Sequence, residues 1–398
     1  MNILFLLLQM PAENKGGGMY VDLAEELRSQ GHNVTIMAPD NAHKASYCQV
    51  ERGMKVVRVG SKATQGVSNM IKKGIALATL PYFYRKAYNR FLKEDSFDWI
   101  LMPTPPITLV DFVAEVKQRT GAKFYLILRD IHPQSVASLG ILKRKWMYNY
   151  LNRRAKKGYA LADVIGCMSQ GNIDFIAQNN PEVDSRKLAL LYNWLKREPS
   201  SDISKQAIRE QYALQDKFIA LFGGNIGLGQ RIENIVTLAE HYRSCGKVQF
   251  VVIGKGVEKE RLARIAQENN LTNIFFLDFM PQAEYLAFVQ SVDLGLVSIS
   301  EKYAVPTCPS KAVSYMSLGI PIFAMINDNN DYGPIIEKAG AGYWVVGSDK
   351  ERTFELFDKI IGDASLRGTM SECGVRFYEE NCTVDVACKT MLKQMQNE

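Results

Sequence analysis

Short β-rich apolar runs alternate with amphipathic helical stretches along both halves of this 398-residue sequence, and that alternation constrains the fold more than any other feature. Strands covered on both faces read as continuous hydrophobic runs, and a helix between two of them returns the chain for parallel pairing. In the first half the runs are Ile3–Leu8, Val34–Ala38, Val56–Val59, Trp99–Met102, Phe124–Leu128 and Val164–Met168; in the second they are Phe218–Phe222, Val248–Ile253, Ile274–Phe276, Leu294–Ser298 and Ile322–Ala324. The expected fold is α/β, with two doubly wound sheets, because a chain of this length exceeds what one hydrophobic core accommodates. The polar stretch Lys196–Gln206, with Pro199 beside Ser200 and Ser201, reads as the linker between residues 1–195 and 207–375. Residues 376–398 are helical in composition over Arg376–Gln396.

Several classes drop out. An apolar fraction of 47% with 23% charged residues excludes disordered and fibrous chains. Met1–Leu8 has neither a basic flank nor a small-residue cleavage site, so it reads as a buried first strand rather than an export signal. No apolar run approaches the roughly 20 residues that cross a bilayer. Seven cysteines without a close Cys-x-x-Cys pair argue against a disulfide framework or a zinc site and suit a reducing cytoplasm. The net charge of +6 hides an asymmetry: residues 1–195 carry +10 and the remainder −4. The first half is expected to face something anionic.

In open α/β sheets ligands bind beyond the carboxyl ends of the strands, so the loops after strands are where chemistry is expected. The first strand runs into Asn14-Lys15-Gly16-Gly17-Gly18 and a helix striped by Tyr20, Leu23, Ala24 and Leu27. The second half opens alike, with Gly223-Gly224-Asn225-Ile226-Gly227-Leu228-Gly229-Gln230-Arg231 after Phe218–Phe222. Glycines at such places let backbone amides approach a phosphate or sugar; a flexible turn is the plainer alternative. Neither loop matches the dinucleotide fingerprint, which disfavours a nicotinamide cofactor. Gly254-Lys255-Gly256 puts a cation beside bare backbone at another strand end. Pro309-Ser310-Lys311 suits a helix start and Gly319 with Pro321 its end, giving an anion site at the helix N-terminus with Lys311 in the first turn. No Asp-x-Asp and no metal-ligand cluster occurs, so a nucleotide diphosphate would be met by helix termini, Lys and Arg, without a metal or other cofactor.

These loops, in this order, resemble the GT4 family of retaining glycosyltransferases, in particular the WbuB-type branch of surface-polysaccharide assembly. The resemblance covers nearly the whole chain. It rests on Gly16–Gly18 with Gly31-His32-Asn33-Val34-Thr35, on Asp130-Ile131-His132-Pro133, on Tyr192-Asn193-Trp194, on Gly224-Asn225-Ile226-Gly227 and on Pro309–Ile322. It implies a GT-B fold: two Rossmann-like domains facing across a cleft, with the C-terminal helix packed back on the N-terminal domain. It implies a donor site that includes Gly17, Gly18, Gly224, Asn225, Arg231, Lys255, Pro309, Ser310, Lys311, Ser314 and Tyr315, with the backbone near Phe279 and Met280 holding the base. His132, after the run Phe124–Leu128, is the imidazole best placed to meet the acceptor or the transferred sugar, a structural hydrogen-bonder being the plainer alternative, and Asp130 is its catalytic companion as acceptor base or as orienting partner. The family's Glu-x₇-Glu carboxylates are absent, their positions being Pro306 and Ser314 here. A UDP-linked, N-acetylated donor sugar is the expectation from the branch resembled.

Residues 71–93 hold six basic residues and no acid, among them Arg85, Lys86 and Arg90, interleaved with aromatic side chains. Residues 131–162 are likewise acid-free and carry Lys143, Arg144, Lys145, Arg153, Arg154, Lys156 and Lys157. Such segments suit an anionic leaflet or a lipid-linked pyrophosphate of the undecaprenyl type better than nucleic acid; a solvated helix face is the alternative. The function expected is sugar transfer from a nucleotide diphosphate to a lipid-linked or oligosaccharide acceptor, on the inner face of the bacterial inner membrane. An NDP-sugar epimerase, or an inert scaffold of the same fold, are the competing expectations.

Overall fold

Every apolar run named above coincides with a strand of the computed structural model, although Ile3–Leu8 runs two residues and Val164–Met168 one residue past the strand end; the structure describes residues 1–13, 16–40, 43–61, 70–197 and 203–397, the side chains of Met70, Ile71, Lys73 and Gln282 excepted. Asn14 and Lys15 of the first glycine loop, and Pro199 with both neighbouring serines of the linker, lie outside the described residues.

The chain divides into two units, Met1–Tyr192 with the segment from Val384 onward, and Asn193–Thr383. The first holds β1 (Asn2–Leu6), β2 (Asn33–Asp40), β3 (Tyr47–Glu51), β4 (Met54–Gly60), β5 (Trp99–Pro103), β6 (Lys123–Leu128), β7 (Val164–Cys167) and β8 (Leu188–Leu190), in the sheet order β3-β4-β2-β1-β5-β6-β7-β8. All pairings are parallel except β3 with β4, an antiparallel edge. Helix α1 (Met19–Ser29) lays Val21, Leu23, Ala24 and Leu27 on the core, at the spacing of one helix face, and ends where Gly31 turns left-handed at φ 84°. Helices α2 (Met70–Phe91), α3 (Val110–Thr120), α5 (Lys145–Leu161) and α6 (Gln170–Asn179) follow, with the short α4 (Gln134–Ser138) just after β6.

The second unit is an all-parallel sheet of β9 (Phe218–Gly223), β10 (Val248–Ile253), β11 (Ile274–Leu277), β12 (Leu294–Ser298), β13 (Ile322–Ile326) and β14 (Gly342–Val346), ordered β11-β10-β9-β12-β13-β14. Phe357 centres its core, its ring 5.3 Å from Phe323 and from Tyr242 and 5.7 Å from Phe250. The strand order reverses direction between β9 and β12, and the crevice that ligands use in open sheets lies beyond the carboxyl ends at such a switch point. Helices α7 (Lys205–Gln211), α8 (Glu233–His241), α9 (Lys259–Glu268), α10 (Gln282–Gln290), α11 (Ser310–Ser317), α12 (Tyr332–Lys338), α13 (Lys350–Gly362) and α14 (Ala364–Asn381) belong here.

Two boundaries differ from the sequence reading. Residues 205 and 206 of the expected linker already lie in α7, capped by Ser204, whose Oγ accepts the Ala207 N–H at 3.1 Å. The stretch 376–396 is two helices. Its first turns belong to α14, which packs on α11, with Tyr378 donating to the Leu195 carbonyl at 2.9 Å. Only α15 (Val384–Gln396) lies in the first unit, burying Ala387, Cys388, Met391 and Met395 against α1 and β7, while its Gln394 donates to the Leu190 carbonyl at 2.8 Å. The crossing segments are held side by side by the Leu195–Thr383 bridge. Among the described residues, no helix is long and apolar enough to cross a membrane.

Candidate active site

In the second unit the loops after β9, β10 and β12 converge on the N-terminus of α11. Gly224 adopts φ 134°, and a side chain there would press on Lys311 Cε and Nζ, 3.3 and 3.5 Å from the Cβ it lacks. A Cβ on Gly254 would fall on the Gly224 carbonyl, and one on Gly256 on the Ile226 carbonyl. The close approach is locked by Gly224 N–H donating to Ile253 O at 2.9 Å and Ile226 N–H to Lys255 O at 2.8 Å. The glycines of these two loops therefore serve a backbone-to-backbone junction as much as a bare surface for ligand.

Lys311 reaches back across this junction with its Nζ 4.0 Å from the centre of the Phe222 ring. It is half-buried, and no carboxylate pairs with it among the described residues. Burial without a counter-charge pushes its pKa down to about 8. Helix α11 has no side-chain cap at Pro309; the Ala312 N–H donates to Pro309 O at 3.1 Å, and the N–H groups of Ser310 and Lys311 are left without a side-chain cap. An unpaired cation, uncapped amides and exposed glycine backbone at a topological switch point form a cradle for an anion.

The other expected donor residues divide. Ser310, Gly224 and Asn225 are exposed at the crevice and Ser314 is half-buried. Lys255 lies 5.1 Å from the centre of the exposed Phe279 ring, at the ends of β10 and β11. Tyr315 is a correction: it is fully buried, donating to Leu221 O at 3.1 Å and accepting from Gly223 N–H at 3.2 Å, so it ties α11 to β9 and presents nothing to a ligand. Met280 also has a buried side chain, which leaves open the expected role of its backbone. Arg231, left-handed at φ 39°, is paired with Glu301 at 2.9 Å, which offsets part of its charge. Glu301 was not singled out from the sequence; it follows β12, a loop the general rule for open sheets covers. Pro306 is buried, and Asn193 of the Tyr-Asn-Trp motif holds the segment before α11 by donating to Cys308 O at 2.7 Å.

In the first unit Thr104, Asp130 and His132 gather beyond β5 and β6. Thr104 Oγ accepts the N–H groups of Arg129 at 3.0 Å and Asp130 at 3.3 Å, fixing the ends of the two strands together. His132 Nδ1 bonds Ser135 Oγ at 3.0 Å, and its Nε2 stands 4.0 Å from Asp130 Oδ2. Desolvation raises the pKa of Asp130 and lowers that of His132, each opposed by the other's charge, so both lean toward neutrality in an environment that penalises charge. Such a pair can accept and return a proton without first forming a tight ion pair. Arg129, also missed from sequence, is buried behind it and bonds Leu191 O at 3.0 Å and the Tyr20 side chain. Gly18 stands at the N-terminus of α1 with φ 153°, and a Cβ on Gly17 would strike the Asp22 carboxylate.

The basic face is smaller than the sequence implied. Arg85 is bound by both carboxylate oxygens of Glu115; Arg154 and Lys157 share Asp111, and Lys156 pairs with Glu182 at 2.7 Å. The acids come from α3 and from beyond β7, so stretches acid-free in sequence are not acid-free in space. Lys86 and Arg90 are exposed on α2. Lys143, Arg144, Lys145 and Arg153 are exposed and without ion-pair partners among the described residues, and they lie close in sequence to the exposed Trp146 (64% exposed), Tyr150 (41%) and Ile141 (44%).

Residues 204–376 match the family model described as glycosyl transferases group 1. The chain is 26% identical over 270 residues to the probable glycosyltransferase WbjE of Pseudomonas aeruginosa, a match spanning 66% of each chain. It is 24% identical over 340 residues to the putative colanic acid biosynthesis glycosyl transferase WcaI of Escherichia coli strain K12, spanning 80% of this chain and 82% of that one. Among solved structures it resembles HepE from Anabaena, determined with UDP and glucose, at a TM-score of 0.69 and 13% identity over 100% of both chains. That likeness is one of fold, two Rossmann-like domains of the GT-B kind.

Proposed function

On the match of residues 204–376 to the glycosyl transferases group 1 family model, we propose that this protein transfers a sugar, with retention, from a UDP-linked donor to a saccharide or lipid-linked acceptor in bacterial surface-polysaccharide synthesis. One observation carries the reading: Lys311, without a counter-ion, leaning over Phe222 beside bare Gly224 at the switch point of the second unit. In this reading the uncapped start of α11 and Lys311 hold the diphosphate, a helix terminus contributing about 0.3–2 kcal/mol to an anion. No metal is required, since the charge on the departing diphosphate is met by Lys311 and amides. Asp130 and His132 orient the acceptor hydroxyl, whose proton leaves with the β-phosphate oxygen in a front-face displacement. The names of WbjE and WcaI support the bacterial setting, and the UDP in HepE supports the donor class. An N-acetylated sugar is our choice for the group transferred.

We also place the protein on an anionic membrane, with Trp146, Tyr150 and Ile141 entering the interface among Lys143, Arg144, Lys145 and Arg153. Cations beside a negatively charged leaflet contribute about 1 kcal/mol each.

The deciding experiment incubates purified protein with UDP-N-acetylglucosamine and a lipid extract of its host. Radiolabelled sugar in the lipid or saccharide product, with free UDP released, is the expected outcome. Isomerised UDP-sugar would install an epimerase instead, and UDP binding without turnover on any UDP-sugar an inert scaffold.

A further inference from the structure

The first unit contains a pocket that none of the roles above uses. It occupies about 640 Å³ beyond the carboxyl ends of β1 and β2, walled by the β3–β4 edge. That volume is in the roughly 300–1,000 Å³ range of small-molecule sites. Its polar groups are fixed before any ligand arrives. Asp40 Oδ2 accepts from Tyr47 OH at 2.8 Å and contacts His43 Nδ1 at 2.8 Å. Arg58 is buried with Glu51, donating Nε–H to Glu51 Oε1 at 2.7 Å, Nη1–H to Met10 O at 2.7 Å and Nη2–H to Pro11 O at 3.1 Å.

The charge balance decides what fits. Arg58 commits four of its five N–H donors to Glu51 and to the backbone after β1, and its charge is paired with Glu51, so little of the cation in the wall is offered to an anion. Burial works against the Glu51 carboxylate, but hydrogen bonds from Arg58 and Gln49 outweigh it and keep the acid ionised. Among the described lining residues Glu13, Asp40 and Glu51 outnumber one committed guanidinium and the His43 imidazole, which is itself held by Asp40, so a phosphate would be disfavoured, while hydroxyl or ammonium donors would find acceptors. Leu8, Met10 and Pro39 supply apolar wall against which the C–H face of a sugar ring can lie. The pocket is thus an acidic exception in the half of the chain with the positive balance.

We infer that this pocket binds a neutral or amino-substituted sugar residue of the acceptor, remote from the reacting hydroxyl. The inference rests on the glycosyltransferase reading for the word acceptor. Two strand spacings separate β1 from β6 and three separate β2 from it, roughly 10–14 Å at about 4.8 Å each, more than the length of one hexose. A sugar in the pocket therefore cannot also present its hydroxyl to Asp130; the acceptor is an oligosaccharide read at two points.

Met10 lines the pocket and serves as its reporter. The full-length protein, labelled with methyl-¹³C methionine and assigned through Met10→Leu, is titrated with N-acetylglucosamine, glucosamine, maltotetraose and inorganic phosphate, and separately with UDP. We expect at least one of the sugars to move the Met10 methyl, phosphate to leave it in place, and Asp40→Asn and Tyr47→Phe each to weaken the sugar response at least threefold. A Met10 signal unmoved by all three sugars, or moved equally by phosphate, overturns the inference. UDP is expected to act on other methionines; an intact UDP response with a silent Met10 sinks the pocket alone, and a lost UDP response with a responding Met10 sinks the donor reading alone.

Discussion

Lys311 offers the sharpest test of the donor site, because its pKa of about 8, against an ordinary 10.5, makes its charge conditional. At pH 7 the free protein carries the charge in about nine molecules of ten; at pH 9 in about one of ten. A bound diphosphate supplies the missing counter-charge and lifts the pKa back toward its ordinary value, so binding above pH 8 must take up a proton. The affinity for UDP is then expected to fall about tenfold between pH 7 and pH 9, or about 1.4 kcal/mol. Arginine stays protonated throughout, so Lys311→Arg should show no such loss. Lys311→Ala should weaken UDP at pH 7 by tenfold or more, a charged hydrogen bond contributing about 1.5–3 kcal/mol, while leaving uridine nearly unaffected. Isothermal titration at constant ionic strength measures all three. Reading wild type against Lys311→Arg cancels the ionisation of uracil itself. Parallel pH profiles for the two would refute the assignment. The stability of the free protein carries the opposite sign: a folded-state pKa below the unfolded one destabilises while both states are protonated, and the penalty is relieved as pH rises from about 8 toward 10.5. Lys311→Met should accordingly raise the melting temperature at pH 7 and cease to do so near pH 10.

His132→Ala should cut turnover strongly while UDP affinity, measured by titration, stays within twofold; near-normal turnover would make the imidazole a structural bonder of Ser135. EDTA should leave sugar transfer intact, and activity abolished by chelation and restored by Mg²⁺ or Mn²⁺ would overturn the metal-free reading. In flotation with phosphatidylglycerol vesicles, Trp146→Ser with Tyr150→Ser should release the protein, whereas Arg85→Glu, at a side chain already committed to Glu115, should matter less; equal flotation with neutral lipid would refute electrostatic docking. Gly254→Ala should cost about 1–3 kcal/mol in urea unfolding, since its methyl would overlap the Gly224 carbonyl, and a neutral effect would show that the two loops separate freely.

The strands were legible wherever both faces are covered, because burial on two sides writes an unbroken apolar run. Those missed lack that signature: β3 is an edge with exposed Cys48, Gln49 and Val50, β8 has three half-buried residues, and β14 begins on a glycine and exposes part of Tyr343 and Trp344. In α11 the sequence identified the helix and its cation but not its inward face. Ala312, Tyr315 and Met316 share the i, i+3, i+4 spacing and turn to the core, while Lys311 and Ser314 stand on the more open side, so Tyr315 could have been set aside on periodicity alone. Charge was the least legible property. Asp111 meets Arg154 and Lys157, and Glu301 meets Arg231, across separations that no local reading spans.

The return of α15 to the first unit sets an order of completion on the ribosome. The unit begun first is closed last: its α1 and β7 wait for a helix encoded after the whole of Asn193–Thr383. At about 5–20 residues per second, that interval lasts roughly 10–40 s. The second unit, contiguous in sequence, has its full complement of strands before the first has its final helix. A nascent chain therefore displays the apolar seat of Ala387, Cys388 and Met391 to chaperones, and a chain truncated after Tyr192 would display it permanently.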